Sequence, residues 1–227
     1  MSQAAVIAHP SATVVLLRDR PSGLELLLVR RSSKLVFHGG AWVFPGGRID
    51  PEDYAAGTDG DVVAASRKAA VREIQEEAGL FVDPAGLVLI SHWTTPEGLP
   101  RRFATWFYAA AAAGEGRVEV DGGEIKAHRW IRPDDALTAQ RAGEIELPPP
   151  TYVTTHAFTA YGSADDALST LREREPEIFF PRVQPVPGGA CSLYEGDAGY
   201  ADSDPGRPGA RHRLWRLDGD WRYERSS

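Results

Sequence analysis

Three carboxylates fall within five residues in the stretch Arg72-Glu73-Ile74-Gln75-Glu76-Glu77-Ala78-Gly79-Leu80. On a helix, Glu73, Glu76 and Glu77 stand at i, i+3 and i+4 and share one face. Gly79 is the residue type that ends helices in a left-handed cap, which puts the acids in the last turn. That place is unfavourable. The C-terminal end of a helix carries partial negative charge, so each acid there costs roughly 0.3–1 kcal/mol. The Glu73/Glu77 pair adds like-charge repulsion of about a few tenths of a kcal/mol. Arg72 alone does not balance the cluster. A hard divalent cation would, because Mg2+ and Mn2+ take oxygen ligands and suit grouped carboxylates. Taken by itself, the triplet is also compatible with a solvated acidic face.

Upstream stands Trp42-Val43-Phe44-Pro45-Gly46-Gly47, a short apolar run closing in a Pro-Gly-Gly turn. Together the two stretches resemble the Nudix hydrolase family, whose box reads G-x5-E-x7-R-E-U-x-E-E-x-G-U with U aliphatic. Gly47 is the first glycine of that box, and Arg72 through Leu80 match its second half at every fixed position. The chain departs from the pattern twice. The first acid of the box falls at Asp53 instead of a glutamate, and eighteen residues separate it from Arg72 where the box has seven. The insert, Tyr54 to Val71, contains Gly57, Asp59 and Gly60, which read as a turn. Asp61 to Ala78 then reads as one helix rich in Ala, Arg, Lys and Glu. Larger family members, including a branch acting on coenzyme A, have a similar insert. On this reading Tyr54 to Gly60 is a surface excursion, and Asp53 is not carried over as a functional acid.

The resemblance implies a division of roles. Glu76 and Glu77 are metal ligands, and Glu73 completes the set as a ligand or as the base that orients water. Arg72 holds the glutamates through charge-assisted contacts. The carbonyl of Gly46 reaches a metal ion, and the two glycines let the backbone come close to a ligand. An acid from outside the box often completes such sites; Glu124 is the candidate, with Glu115 and Glu119 competing. For substrate phosphates the chain offers Arg30 and Arg31 at a strand end, Arg48 after the Gly-Gly turn, and Arg102, beside Arg101, at the start of another strand. Arginine suits bidentate phosphate contacts. His92 to Pro96 followed by Arg102-Phe103 resembles the matching stretch of the coenzyme A branch. The fuller signature of that branch is absent in its expected form, since Leu35-Val36-Phe37-His38-Gly39-Gly40 stands there.

Composition narrows the field. A chain of 227 residues can bury a proper core. Its formal charge of −7 argues against a nonspecific nucleic-acid partner. Cys191 is the single cysteine, so an intramolecular disulfide is impossible and a reducing cytosol is expected. Met1 to Pro10 has no signal-peptide pattern. The apolar stretch Phe103 to Ala113 is too short to span a bilayer as a helix. His92, His128, His156 and His212 show no metal-ligand spacing, and Ser32 and Ser33 have no evident base.

The elements that must position these residues follow from periodicity. Ala12–Leu17 and Leu24–Arg30 read as a hairpin of buried strands around a turn at 18–23. Ala41–Phe44 is a short strand, and 87–93, 102–112 and 128–131 are further strands. A helix starts at Pro133 with Asp134 and Asp135 in its first turn. Pro148-Pro149-Pro150 reads as a stiff break. Ser163–Arg174 is a helix capped by Ser163. Residues 179–209 are rich in Pro and Gly and read as irregular, and 213–217 with 220–223 form a hairpin around Asp218-Gly219. The expected fold is α+β, and the resemblance implies the Nudix fold, a mixed β-sheet sandwiched between α-helices. Residues 1–150 form its core, and 151–227 a helical and irregular C-terminal extension packed on it.

The expected function is hydrolysis, dependent on Mg2+ or Mn2+, of the diphosphate linkage in a nucleoside diphosphate linked to another moiety. Coenzyme A or an acyl derivative leads. An ADP-ribose or dinucleotide pyrophosphatase is the enzymatic alternative. A non-catalytic Nudix-fold ligand-binding domain is the alternative of another class, against which the intact triplet argues. The partner is a small-molecule diphosphate, with no nucleic acid and no membrane, in the cytoplasm; a homodimer is left open.

Overall fold

The structure is a computed structural model that describes residues 6–34, 38–54, 60–113, 117–120 and 122–226. In chain order the elements are β1 (Ala8–Arg20), β2 (Gly23–Arg31), β3 (Trp42–Val43), β4 (Gly46–Arg48), α1 (Val62–Ala78), β5 (Val88–Thr94), β6 (Arg102–Ala111) and β7 (Ile125–Ile131). There follow α2 (Pro133–Arg141), α3 (Pro149–Phe158), α4 (Ala164–Arg172), β8 (Glu177–Phe179), β9 (Arg182–Val186), β10 (Gly189–Leu193), β11 (His212–Leu217) and β12 (Asp220–Arg225). Among the described residues, no helix is long and apolar enough to cross a membrane.

The first sheet runs β3-β2-β1-β6-β5-β8, with β4 on β1 and β7 on β2. It is mixed: β1 pairs antiparallel with β2 and β4 but parallel with β6. β1 is central, and its apolar run is buried on both faces, as expected of a strand covered twice. Ala12, Val14 and Leu16 pack on one side with Ala65, Ala69, Ala70, Ile74 and Ala78 of α1. Val15 and Leu17 pack on the other with α2, α3 and α4. The expected sandwich of a mixed sheet between helices is the observed architecture.

α1 begins and ends as its sequence suggests. The Asp61 carboxylate accepts the N–H groups of Val63 and Ala64, both at 3.0 Å. Gly79 closes the helix at φ 65°, where a Cβ would be strained, and its N–H donates to Gln75. The row of alanines lets the helix lie close on the sheet, and Ser66 Oγ meets Tyr108 Oη at 2.6 Å in the gap. The helix axis is thereby fixed, and with it the end that carries the acids.

Two expectations fail in the C-terminal region. The proline triplet does not break the chain: Pro148 is the N-cap of α3, and Pro149 and Pro150 occupy its first turn. There the missing N–H groups would have had no helical partner in any case. The stretch expected to be irregular contains β9 and β10, which with β11 and β12 form a second, four-stranded antiparallel sheet. Pro185 is tolerated because β9 is an edge strand. The terminal hairpin and the α4 cap form as expected, with Ser163 Oγ accepting the Asp166 N–H at 3.1 Å.

The second sheet is fastened to the first by aromatic rings. Trp93 of β5 stacks on Phe179 of β8 with centroids 3.8 Å apart, and Tyr194 meets both edge-on at 5.6 and 5.3 Å. The loop 194–211 is held by a buried ion pair. Arg213 donates through Nε and Nη2 to Asp197 at 2.7 and 2.6 Å, and Asp197 also accepts the N–H groups of Gly199 and His212.

Candidate active site

The acids converge at the end of α1 against the turn that joins β3 to β4. Gly46, Gly47 and Arg48 pair with Thr13, Ala12 and Ser11, so the turn is fixed to the central strand. A Cβ on Gly46 would collide with Ala12 and Thr13, and one on Gly47 with the Glu73 carboxylate. At Gly46 the clash is with backbone, so close approach requires glycine; at Gly47 a side chain would instead push the Glu73 carboxylate aside.

Arg72 organises the cluster. Its Nη1 donates to Glu73 Oε1 at 2.8 Å and to Glu76 Oε2 at 3.0 Å. Its Nη2 donates to Asp53 Oδ2 and to the Arg48 carbonyl, both at 2.9 Å, and its Nε to Asp53 Oδ1 at 3.3 Å. One guanidinium thus ties the helix end to the glycine turn. Asp53, in doubt as a functional acid, is built into the frame of the cluster. Asp53 is buried, accepts the Asp50 N–H at 2.8 Å and grips Arg72 in a two-pronged contact. The reason is local: Pro51–Asp53 is a single 3-10 turn. Asp53 is therefore placed before the long insert begins, and the insert's length does not displace it. Residues 55–59, most of the expected surface excursion, lie outside the described residues.

The three glutamates sit in different surroundings. Glu77 is buried, and its Oε2 accepts the Gly46 N–H at 2.9 Å. Burial, with repulsion from Glu73 and Glu124, pushes its carboxyl up to about 8 against the pull of Gly46 N–H and Arg31. Burial also raises Glu73, although Arg72 opposes it. The Glu73 side chain is 13% exposed and that of Glu76 58%, so Glu76 stands at the mouth.

The remaining expected residues separate into those near the acids and those elsewhere. Glu124 is near: a register shift at Arg30/Arg31 lets its carbonyl accept the Ser32 N–H at 2.7 Å, and its charge acts on Glu77. Glu119 lies against the end of α1, where its N–H donates to Ala78 at 2.9 Å. Glu115 is outside the described residues. Arg31 faces the acids, its charge lowers Glu77, and its buried Nε has no hydrogen-bond partner among the described residues. Arg48 is exposed beyond the glycine turn, its guanidinium 5.9 Å from the Phe103 ring centroid. Arg30 stands across from Trp42, its guanidinium 6.0 Å from that indole, on the other face of the strand from Arg31. Arg102 is a correction. It is buried and donates through Nη1 and Nε to the carbonyls of Val6 and Thr95 at 2.9 and 3.1 Å, so two of its three nitrogens staple the start of β6.

Among the described residues, no three His, Cys, Asp or Glu side chains close on a common point as a ready-made metal cage. Arg72 spans Glu73 and Glu76, and Gly46 holds Glu77. The donor set still fits a hard divalent cation. Asp53, Glu73 and Glu76 share one guanidinium, and Glu77 is buried beside them with its Oε2 on the Gly46 N–H. Carboxylate oxygens so placed are what Mg2+ and Mn2+ prefer.

A family model described as the NUDIX domain matches residues 8–148, more than half of the chain. The chain belongs to the Nudix hydrolase family. Nudix hydrolases are generally dependent on a divalent metal. A Caenorhabditis elegans protein named as nudix hydrolase 7 is 26% identical over 161 residues, 56% of this chain and 52% of that one. The human acyl-coenzyme A diphosphatase NUDT19 is 29% identical over 120 residues, 50% of this chain and 32% of that one. The chain thus spans about half the length of the first of these relatives and a third of the second. Among solved structures, a Nudix hydrolase from Alicyclobacillus acidocaldarius is 27% identical, with a TM-score of 0.63 over 76% of this chain and 100% of that one.

Proposed function

We propose that this chain hydrolyses the diphosphate linkage of a nucleoside diphosphate joined to a second moiety, with coenzyme A or an acyl-coenzyme A as the preferred class. The observation that carries the reading is the anchoring of Glu73, Glu76 and Glu77 by Arg72 and by the Gly46 N–H at one rigid turn. Glu76 and Glu77 would hold Mg2+ or Mn2+, with Glu73 as a third ligand or as the base for water, and Glu124 as an added acid. A divalent ion bound there supplies a water of lowered pKa and neutralises phosphate oxygens. Arg72, itself gripped by Asp53, keeps the carboxylates in register with the glycine turn. Arg31, whose charge acts on Glu77, would contact the substrate's phosphates, and Arg48 would reach them from beyond the turn. The likeness to an acyl-coenzyme A diphosphatase supports the substrate class. The buried Cys191, its thiol pushed up to about 11 by burial, is compatible with the cytoplasm as its location.

A screen of diphosphate-linked metabolites with Mg2+ and Mn2+, reading AMP and 3′,5′-ADP, tests this. Release of 3′,5′-ADP from coenzyme A or its acyl derivatives is the expected result. Release of AMP from ADP-ribose or dinucleotides alone would move the substrate class. No turnover of any member with either metal would contradict the hydrolase reading.

A further inference from the structure

Thr13 is the polar residue in the otherwise apolar run Ala12–Leu17 of the central strand β1, and it is 8% exposed. An apolar side chain would pack there as well, so the hydroxyl calls for a reason. Its Oγ1 lies 2.6 Å from the Pro45 carbonyl oxygen and 3.2 Å from that of Phe44. A hydroxyl has one proton to donate, and the shorter contact, with Pro45, takes it. The Val14 N–H donates to the same oxygen at 2.9 Å. Two donors from β1 therefore hold the Pro45 carbonyl.

That carbonyl and the Gly46 N–H are the two ends of one peptide group. The group is planar and trans, so its N–H points away from its C=O. Fixing the oxygen on β1 fixes the direction of the N–H, and the N–H donates to Glu77 Oε2 at 2.9 Å. Gly46 cannot set this direction itself. It has no side chain, and a Cβ there would strike the backbone of Ala12 and Thr13. A line of contacts thus runs from the Thr13 hydroxyl through the Pro45 carbonyl and the Gly46 N–H to the Glu77 carboxylate. Hydrogen bonds accepted at the carbonyl also polarise the peptide, which strengthens its N–H as a donor. Arg72 ties Glu73 and Glu76 to the glycine turn, and this peptide ties Glu77 to it.

We infer that Thr13 is a positioning residue for the metal site: its hydroxyl, acting through the Pro45–Gly46 peptide, aims the N–H that sets Glu77 as a ligand. This rests on the reading of Glu77 as a metal ligand. Thr13 touches neither metal nor substrate and acts through the peptide alone.

The test compares Thr13→Ala with Thr13→Ser in the full chain. Both lose the methyl group, and the hydroxyl is the difference between them. Calorimetric titration with Mn2+, without substrate, reads metal affinity, and melting without metal reads stability. Loss of a partner behind a metal ligand weakens metal binding by about 10- to 100-fold, so Thr13→Ala is expected to bind Mn2+ about tenfold more weakly. Thr13→Ser should bind it as the wild type does. The metal-free melting temperatures of the two variants should lie close together, because the Val14 N–H still holds the Pro45 carbonyl in Thr13→Ala. A hydroxyl that served the fold alone would do the opposite, separating the melting temperatures at equal Mn2+ affinity. Thr13→Cys, whose thiol is a weak donor, replaces Thr13→Ala if that variant does not fold, with the same expected loss. Equal Mn2+ affinity in the variants with and without the hydroxyl, or no Mn2+ binding by the wild type, overturns the inference. Diphosphate turnover by the wild type, with equal Mn2+ affinity in the variants, would sink the role of Thr13 and spare the hydrolase. Mn2+ binding that depends on the hydroxyl, in a chain that turns over no diphosphate, would do the reverse.

Discussion

Two arginines, Arg72 and Arg213, each grip an aspartate with a two-pronged contact, and they do opposite things. Arg213 is 1% exposed, pairs with Asp197 and also donates to the Pro205 carbonyl, and the remaining lone pairs of Asp197 accept two backbone N–H groups. Every partner is satisfied and the pair is closed to water. Arg72 is partly exposed and serves Asp53, Glu73 and Glu76 at once, while the buried Glu77 accepts the Gly46 N–H instead. The carboxyl groups report the difference. Burial alone would raise Asp197, but Arg213 and the backbone donors overcome it and leave it below its ordinary value. Glu77 is pushed up to about 8. A closed ion pair with backbone donors keeps its carboxylate ionised, whereas a buried carboxyl out of the guanidinium's reach is pushed toward its neutral form.

Removing an acid at each place should therefore have contrary effects. Glu77→Gln is expected to lower kcat by more than about a hundredfold while the melting temperature without metal holds or rises, because a buried, repelled carboxyl is lost. Near wild-type turnover in this variant would remove Glu77 from the essential ligands. Arg213→Met should instead leave a charge buried and unpaired, at about 3–5 kcal/mol, and lower the midpoint of urea unfolding. A folded Arg213→Met chain with an unaltered midpoint would mean that the pair does not secure the 194–211 loop.

Asp53 is the point where the two regions become alike. Asp53→Asn keeps the shape but weakens the hold on Arg72, and kcat is expected to fall about 10- to 100-fold with KM nearly unchanged. Loss of structure instead, seen as a drop in melting temperature matching that of Arg213→Met, would make Asp53 a fold residue. The smallest effect concerns acid. Asp197 has a folded pKa below its unfolded value of about 3.9, so its contribution is fully present above that value and is lost as pH falls through the folded one. Stability measured by urea from about pH 7 downward should drop below about pH 4, and Asp197→Asn should lack that part of the drop. An identical acid profile in the variant would contradict the assignment.

The same contrast explains what could be read from the residues. Glu73, Glu76, Glu77 and Arg72 announce themselves because helical periodicity places them together within two turns. Asp61 and Gly79 mark that helix's ends by local cap chemistry, and the 213–223 hairpin is legible from its Asp-Gly turn. Asp53 was obscured by the insert, since spacing along the chain hides the 3-10 turn that sets it beside Arg72. Asp197 carries no local signal; its role comes from Arg213, which only the fold brings near. β9 and β10 were masked by Pro185 and the surrounding glycines, which mark loops unless a strand lies at a sheet edge. Arg102 shows the limit in the other direction, as a promising cation whose strand start happens to face two carbonyls.

Thermal melting with and without millimolar Mn2+ or Mg2+, on the wild type and on a chain in which Glu73, Glu76 and Glu77 are all glutamine, tests the central claim most directly. Metal that binds the folded state stabilises it by mass action. The account predicts a rise in melting temperature for the wild type and none for the triple variant. No rise in the wild type, or an equal rise in both, would contradict it.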